Sequence, residues 1–146
     1  MYRKIIFLVT AGALTACSGT PPSDLGIQGE GLKPCPDKPN CVSSLAPPKD
    51  DTHFITALTP ASPAALDALW QRLPETLKTL DIRIVELTDA YLRAEATTRV
   101  MRFVDDLEFY KDSKSGVIQV RSASRLGYSD LGKNRERLER VREALR

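Results

Sequence analysis

The stretch FVDDLEFYKDSKSGVIQVR, from Phe103 to Arg121, contains two strand-like segments and the turn between them. Aromatic and aliphatic residues are interspersed with acids in its first half, polar and small residues occupy 111–116, and β-branched residues follow. Alternating side chains are typical of a half-buried strand, and a short loop that contains glycine joins antiparallel neighbours. The stretch therefore predicts a β-hairpin, with strands at about 102–110 and 117–121.

Two further strands are predicted before this hairpin. Residues 82–87 are rich in isoleucine, valine and leucine, and residues 88–90 have the composition of a turn. Residues 91–98 alternate in polarity, and Ala94 and Ala96 fall on their apolar side. We expect an antiparallel arrangement in which one face of the sheet is buried.

A helix is predicted before the strands. Ser62 is a suitable N-cap and Pro63 a suitable first helical residue. Leucine and tryptophan then recur at steps of three and four over residues 66–80, which gives the helix one apolar face. Because the apolar phase continues across Pro74, we expect a kink or two abutting helices there.

A second helix is predicted at the C-terminus. Asn134 is expected to cap it, and Leu138, Val141 and Leu145 lie on one of its faces. The predicted order is α-β-β-β-β-α. This order predicts a single small α+β domain, in which a kinked N-terminal helix and a C-terminal helix cover a four-stranded antiparallel sheet.

Residues 1–16 have the features of a bacterial lipoprotein signal peptide. Two bases, Arg3 and Lys4, precede an apolar run that is too short to span a bilayer. The residues LTAC that end at Cys17 resemble the lipobox, in which the cysteine receives diacylglycerol and cleavage occurs just before it. The alternative is an ordinary signal peptide that happens to end at a cysteine.

The residue after the predicted lipidation site favours one destination. Ser18 rather than aspartate follows Cys17, which by resemblance to Gram-negative sorting indicates the outer membrane. Residues 17–33 are rich in proline, glycine and serine and are predicted to be a flexible tether, with the globular domain at 34–146. We therefore expect a lipid-anchored protein of the cell envelope that faces the periplasm.

The charge balance argues against nucleic acid as a partner. The chain has 21 basic and 19 acidic residues, and removal of the leader takes away Arg3 and Lys4, which leaves the mature chain neutral. A neutral protein has no general basic field to attract phosphates. The membrane, through the lipid anchor, and an envelope protein or a small anionic ligand remain as partners.

Three cysteines in an exported chain suggest one modification and one bridge. Lipidation uses Cys17. Cys35 and Cys41 end a short loop that two prolines bend, which brings their side chains close to disulfide reach. Zinc is the competing hypothesis, but one histidine and no second CxxC motif supply too few ligands. We therefore predict a Cys35–Cys41 disulfide, no metal and no cofactor.

The acidic residues of the hairpin are candidates for a polar network. Asp105 shares a strand face with aromatic residues, so it projects into the core and needs a cation to compensate its burial. We predict that Arg121 or Arg125 supplies it, either as a structural pair or as a functional charge. Arg121 is the expected partner, whereas Arg125 lies beyond the strand end and is expected to face a cleft. Calcium binding is disfavoured because Asp105 and Asp106 point to opposite faces.

Nucleophilic catalysis has little support in the sequence. Ser122, Ser124 and Ser129 lie near no lysine of recognised spacing and in no GxSxG motif. The only histidine, His53, falls in a linker-like region. Tyr128 is expected to fill a pocket or shape a loop, with its hydroxyl bonded to a neighbour.

Four blocks of sequence resemble one known family: CPDKPNCVSS at 35–44, YLRAE at 91–95, FVDDLEF at 103–109 and VRSASRLGYSDLGKNRER at 120–137. They look like the domain-of-unknown-function 1499 family, over residues 33–146. The family has no activity to carry over, so the resemblance supports the extent of the domain. The residues that match it, and form the candidate binding or polar network together with the disulfide, are Cys35, Cys41, Asp105, Asp106, Arg121, Arg125, Tyr128, Asp130, Asn134 and Arg137.

Two function classes follow from these observations. The first is a non-catalytic lipoprotein whose domain binds a ligand or partner in a cleft between the sheet and the C-terminal segment. The second is a small periplasmic hydrolase that uses Asp105 or Asp106 as a general base. The first is favoured because the sequence offers neither a histidine base nor a metal cage.

Overall fold

A five-stranded antiparallel sheet forms the centre of the fold. The computed structural model describes residues 19–146, so the predicted signal peptide and Cys17 lie outside the described residues. The strands of the sheet follow the spatial order β3-β7-β6-β5-β4. The elements are β1 (Ile27–Gln28), β2 (Gly31–Leu32), β3 (Cys41–Ser43), α1 (Leu66–Thr79), β4 (Arg83–Leu87), β5 (Tyr91–Thr97), β6 (Val104–Asp112), β7 (Val117–Ser124) and α2 (Lys133–Ala144).

The predicted α+β class and antiparallel sheet are confirmed, but the strand count was wrong. The fifth strand, β3, pairs with β7 through the register Val42↔Ser122. It has three residues, too few for an alternating pattern to identify it in the sequence. Because β3 precedes α1, the first helix lies in the middle of the chain and not at the N-terminus of the domain.

The hairpin of β6 and β7 is confirmed; β6 begins and ends two residues later than expected, and β7 extends three residues further. Its register runs from Asp105↔Ser124 to Asp112↔Val117. The turn is stabilised by the Asp112 carboxylate, which accepts hydrogen bonds from the amides of Lys114 and Ser115. Gly116 then adopts a φ of 70°, a conformation that favours glycine. The turn is thus fixed by its own residues.

The two helices pack on one face of the sheet and form the core. Leu73 and Leu77 of α1 meet Leu138 and Val141 of α2 over this face, and all four are fully buried. The sheet contributes Leu92, Ala94, Ala96, Leu107 and Phe109, which lie on the faces that alternation predicted, together with Val120 of β7. Burial of these side chains supplies the main stabilisation of the domain.

Pro74 lies inside one continuous helix, and not between two abutting helices. It has no amide hydrogen to donate to the carbonyl of Trp70, so the helix lacks one bond there. Ser62 precedes a 3-10 turn at Pro63–Ala65, and its side chain makes no capping hydrogen bond. The tertiary packing of α1 compensates both features, because Trp70 and the leucines beside it are buried.

The opposite face of the sheet is polar and partly covered by the chain before β3. Strands β1 and β2 pair with each other, and Leu32 of β2 is buried. The amide of Gly26 donates a hydrogen bond to Glu108 of β6, 2.9 Å away. Part of the segment predicted as a tether, 17–33, therefore lies folded against the sheet.

Among the described residues no helix is both long and apolar enough to cross a membrane.

The predicted disulfide between Cys35 and Cys41 is confirmed, with the two Cα atoms 5.6 Å apart. Cys41 begins β3, which joins the bridged loop directly to the sheet edge. Asn40 within the loop donates through its side chain to the carbonyl of Gly127, 2.9 Å away. The loop therefore links β3 to the segment that follows β7.

Replacing both Cys35 and Cys41 by alanine is expected to lower the free energy of unfolding by about 2 kcal/mol, because the bridge closes a short loop in the unfolded chain. Urea unfolding of the oxidised protein and of the double variant measures this difference. Two free thiols in native protein kept under oxidising conditions, or equal stability of the two forms, would contradict the bridge.

Candidate functional site

The polar face of the sheet carries a network of ion pairs, here called the sheet-face network. Its members come from β5, β6 and β7 and from the first residue after β7, and they point away from the helices. Those within the strands lie opposite or diagonal to a member on the neighbouring strand in the antiparallel register. They are Tyr91, Glu95, Asp106, Glu108, Arg121 and Arg125.

Arg125 joins the acids of two strands within this network. Its Nε and Nη2 atoms each donate to one oxygen of Asp106 at 2.7 Å, and Nη2 also donates to Glu95 at 2.5 Å. The side chains of Arg125 and Asp106 are 5% and 2% exposed. A paired, two-bond geometry with little solvent is the strong form of such contacts. The hydrogen bond to Asp106 raises the pKa of Arg125 further, so its charge is permanent.

Glu108 is the second centre of the network and is fully buried. One carboxylate oxygen accepts from the Tyr91 hydroxyl and from the Gly26 amide, each at 2.9 Å, and the other accepts from Arg121 at 3.0 Å. Burial, followed by the charge of Glu108, raises the pKa of Tyr91, which keeps its hydroxyl a donor. The buried Nε of Arg121 has no partner among the described residues.

A second cluster, here called the helix-side network, lies between the sheet and α2. Asp105 accepts a hydrogen bond from Arg137 at 2.7 Å, and Arg137 also donates to the side-chain oxygen of Asn134 at 3.1 Å. Asn134 is fully buried and accepts from Ser122 at 2.5 Å. Its amide nitrogen donates to Ser124 and to the Asn40 carbonyl, each at 3.0 Å. The cluster therefore holds α2 against β7 and the disulfide loop.

The prediction that Arg121 or Arg125 pairs with Asp105 was wrong. In the β6–β7 register Arg121 lies opposite Glu108, and residues directly opposite in a ladder share a face. Asp105 lies on the other face, where Arg137 reaches it from α2. Arg125 does not face a cleft, because Asp106 and Glu95 enclose it. The sequence pattern indicated which residues share a face within a strand, but not which faces meet between strands.

Two residues near α2 also differ from expectation. Asn134 is not the N-cap of α2, because Gly132 occupies that position. The Asp130 carboxylate, two residues earlier, accepts from the amides of Gly132 at 3.0 Å and Asn134 at 2.6 Å. Asn134 instead lies in the first turn and serves the helix-side network. Tyr128 is 70% exposed and its hydroxyl makes no hydrogen bond with the described residues, so it does not fill a pocket.

Several network members were not identified as site candidates in the sequence. Glu108, Tyr91 and Glu95 were considered as residues of the predicted strands. Asn40 had no recognisable signal, since its role depends on the position of the disulfide loop. To predict their partners, one would need to know which strands pair and in which register.

A cleft of about 430 Å³ opens between the end of β5 and α2. Four basic and two acidic side chains line it, which are Arg99, Lys133, Arg137, Arg140, Asp81 and Glu136. A hydrogen bond from Lys133, followed by the charges of Lys133, Arg140 and Arg137, lowers the pKa of Glu136. Arg99 and Arg140 make no ion pair with any described residue. The cleft therefore presents unneutralised positive charge to solvent.

His53 belongs to a local clamp and not to either network. Its Nδ1 lies 2.7 Å from Asp50, and its Nε2 lies 3.1 Å from the carbonyl of Lys38 in the disulfide loop. Both ring nitrogens thus face acceptors, which favours the doubly protonated imidazolium. The hydrogen bond to Asp50 is the main reason that the pKa of His53 is raised. His53 is therefore committed to joining two loops.

The acidic residues of β6 do not form a metal cage. Asp105 points toward α2, whereas Asp106 and Glu108 point to the sheet-face network, and each is bonded to an arginine. Within residues 19–146, no cluster of three or more histidine, cysteine or acidic side chains has a geometry that would hold a metal ion.

Replacing Arg125 by alanine is expected to lower the free energy of unfolding by about 3–5 kcal/mol, because it leaves Asp106 buried without its cation. Arg72 on the exposed surface of α1 is the matched control, and its alanine variant is expected to stay within about 0.5 kcal/mol of the parent. Chemical unfolding of both variants tests this. Equal small losses would show that the sheet-face network contributes little.

The raised pKa of His53 predicts a loss of stability at alkaline pH. The imidazolium is favoured in the folded chain, so its contribution is complete below the unfolded pKa and disappears as the pH rises through the folded pKa. The parent should exceed a His53→Gln variant in stability by more at about pH 5.5 than at about pH 8.5. Urea unfolding at the two pH values measures it, and a constant difference would contradict the clamp.

The chain matches one family model over nearly all of the described domain. The model described as "Protein of unknown function (DUF1499)" matches residues 31–145. Neither the search of curated proteins nor that of solved structures found a match to this chain. The matched range includes β2 to α2, both networks and the disulfide. The chain therefore belongs to the DUF1499 family of proteins of unknown function.

Proposed function

We propose that this protein is a lipid-anchored lipoprotein of the bacterial envelope, and that its domain is a non-catalytic module that binds an anionic group. The anchor is a lipid on Cys17, and the location is the outer membrane on its periplasmic side. The binding site is the cleft between β5 and α2. The anionic group belongs to a small ligand or to an envelope protein.

The charge of the cleft is the observation that carries this proposal. Arg99 and Arg140 lie on opposite walls, one beyond β5 and the other on α2. Both guanidinium groups lack an acidic partner among the described residues, whereas Arg137, which also lines the cleft, is bonded to Asp105. Guanidinium groups bind carboxylates and phosphates with paired hydrogen bonds. A cleft with one paired and two unpaired arginines is suited to such an anion.

The state of the two candidate bases argues against the hydrolase alternative. A general base must reach its substrate with a free carboxylate. Asp105 is bonded to Arg137, and both oxygens of Asp106 accept from Arg125. The side chains of both acids are at most 4% exposed. Ser122 likewise donates its hydroxyl to Asn134, which is not a base. The arrangement of these side chains therefore favours a binding role over hydrolysis.

An Arg140→Glu variant is expected to lose binding of small anions, because it reverses a charge on the cleft wall. Inorganic phosphate and succinate serve as probes, and NMR shifts of backbone amides in the cleft report binding. Arg72→Glu makes the same charge change on an exposed part of α1. In this variant the anions should still shift the cleft amides as they do in the parent. Equal responses in both variants, or no anion-dependent shift in the parent, would contradict a binding role for the cleft.

A Cys17→Ala variant should be released from membranes or remain unprocessed in a Gram-negative host, because it lacks the site of the acyl chains and no described helix could span the bilayer in their place. Membrane fractionation with mass spectrometry of the processed chain measures the outcome. A parent protein that is recovered from membranes in processed form without lipid on Cys17 would contradict lipidation.

A further inference from the structure

Exposed apolar side chains are concentrated at one end of the domain. Leu131 and Val100 are the extreme cases, at 90% and 87% exposure. Such a concentration on a small domain is a sign of an interaction surface. We call it the apolar tip, and its members are Val100, Met101, Phe103, Leu126, Tyr128 and Leu131.

The sheet brings these residues together from two loops. The loop 98–103 joins β5 to β6, whose ends pair as Thr97↔Val104. The segment 125–132 leaves β7 beside the same ends, because the amide of Arg125 donates to the carbonyl of Val104 at 3.2 Å. Both loops therefore project beyond one end of the sheet. Leu87, another exposed leucine, lies at the opposite end, where β4 passes into β5.

The described chain begins at this same end. A Cβ built on Gly19 would lie 2.9 Å from the Cβ of Arg125 and 3.1 Å from Leu126. Cys17 precedes Gly19 by two residues, so covalent length alone limits the separation of their Cα atoms to about 7 Å. Acyl chains on Cys17 would therefore leave the protein next to the apolar tip.

One exposed apolar residue of the tip, Leu131, has an unfavourable backbone conformation. Leu131 has a φ of 55°, in the left-handed region that glycine and asparagine tolerate better than leucine. Leucine disfavours this backbone conformation, and its side chain makes almost no contact that would stabilise the isolated domain. Strain of this kind is a reason to look for a function.

The charges around the tip match an anionic surface. Arg99 and Arg102 lie in the loop 98–103, which contains no acidic residue, and neither is ion-paired among the described residues. The one acid of the second loop, Asp130, is used by the first amides of α2. Apolar side chains with arginines around them, and an exposed tyrosine, suit the interface of a bilayer that contains anionic lipid.

We propose that the apolar tip inserts into the surface of a phospholipid bilayer that contains anionic headgroups, and thereby fixes the orientation of the domain on the membrane. The proposal rests on the lipid anchor of the proposed function, because the site of the anchor selects the bilayer as the occupant of this surface. Arg99 belongs both to the tip loop and to the basic cleft, so insertion places the cleft at the level of the headgroups.

The test places a tryptophan at each end of the processed full-length protein. Tyr128→Trp reports on the tip, and Leu87→Trp is the matched control at the opposite end. Each protein is reconstituted in vesicles of phosphatidylcholine and phosphatidylglycerol that include brominated phosphatidylcholine, and the signal of Trp70 is subtracted with the parent. We expect a blue shift and quenching at position 128 and neither at position 87. Adding Leu131→Asp should remove most of the quenching.

The outcomes separate the tip from the anchor. Mass spectra of the same samples show whether Cys17 carries lipid. With lipid present, equal quenching at the two positions or none at position 128 would overturn insertion. If no lipid is present, the anchor fails independently, and vesicle sedimentation then decides: binding that Leu131→Asp weakens several-fold supports the tip, and absence of binding overturns it.

Discussion

The register between β6 and β7 is the constraint on which the rest of the structure depends. It places Arg121 opposite Glu108 and leaves Asp105 on the face where α2 packs. A slip of one residue would exchange the two faces and bury charges against Leu107 and Phe109 of the core. The disulfide loop, both helices and the chain before β3 all attach to this pair of strands.

The domain buries charged side chains on both faces of one sheet, and their pairing limits which of them can react or bind. Taking carboxylates out of water is unfavourable unless cations and donors replace the water. Asp105, Asp106 and Glu108 of β6 each have an arginine. Such pairs stabilise one register by excluding others. They also bind Asp105 to Arg137 and both oxygens of Asp106 to Arg125. Unpaired arginines among the described residues lie elsewhere, including those in the cleft and around the apolar tip.

Local patterns were sufficient for the elements whose own residues specify them. The turn at 113–116 is fixed by Asp112 and Gly116, and the apolar faces of both helices follow from periodicity. The strand β3 escaped the same reasoning because it exists only through its pairing with β7. Tyr128 was misjudged for a related reason: a tyrosine in a loop is buried or exposed according to what packs over it.

The sequence by itself determined the disulfide, the α+β class and the family, because each depends on neighbouring residues or on long matching blocks. Tertiary structure alone decided the partners of the charged residues. Asp105 and Arg137 are 32 positions apart and meet only because α2 crosses the sheet at that point. A side chain's chemistry is local, but its partner is set by register and packing, which join residues that no spacing in the sequence connects.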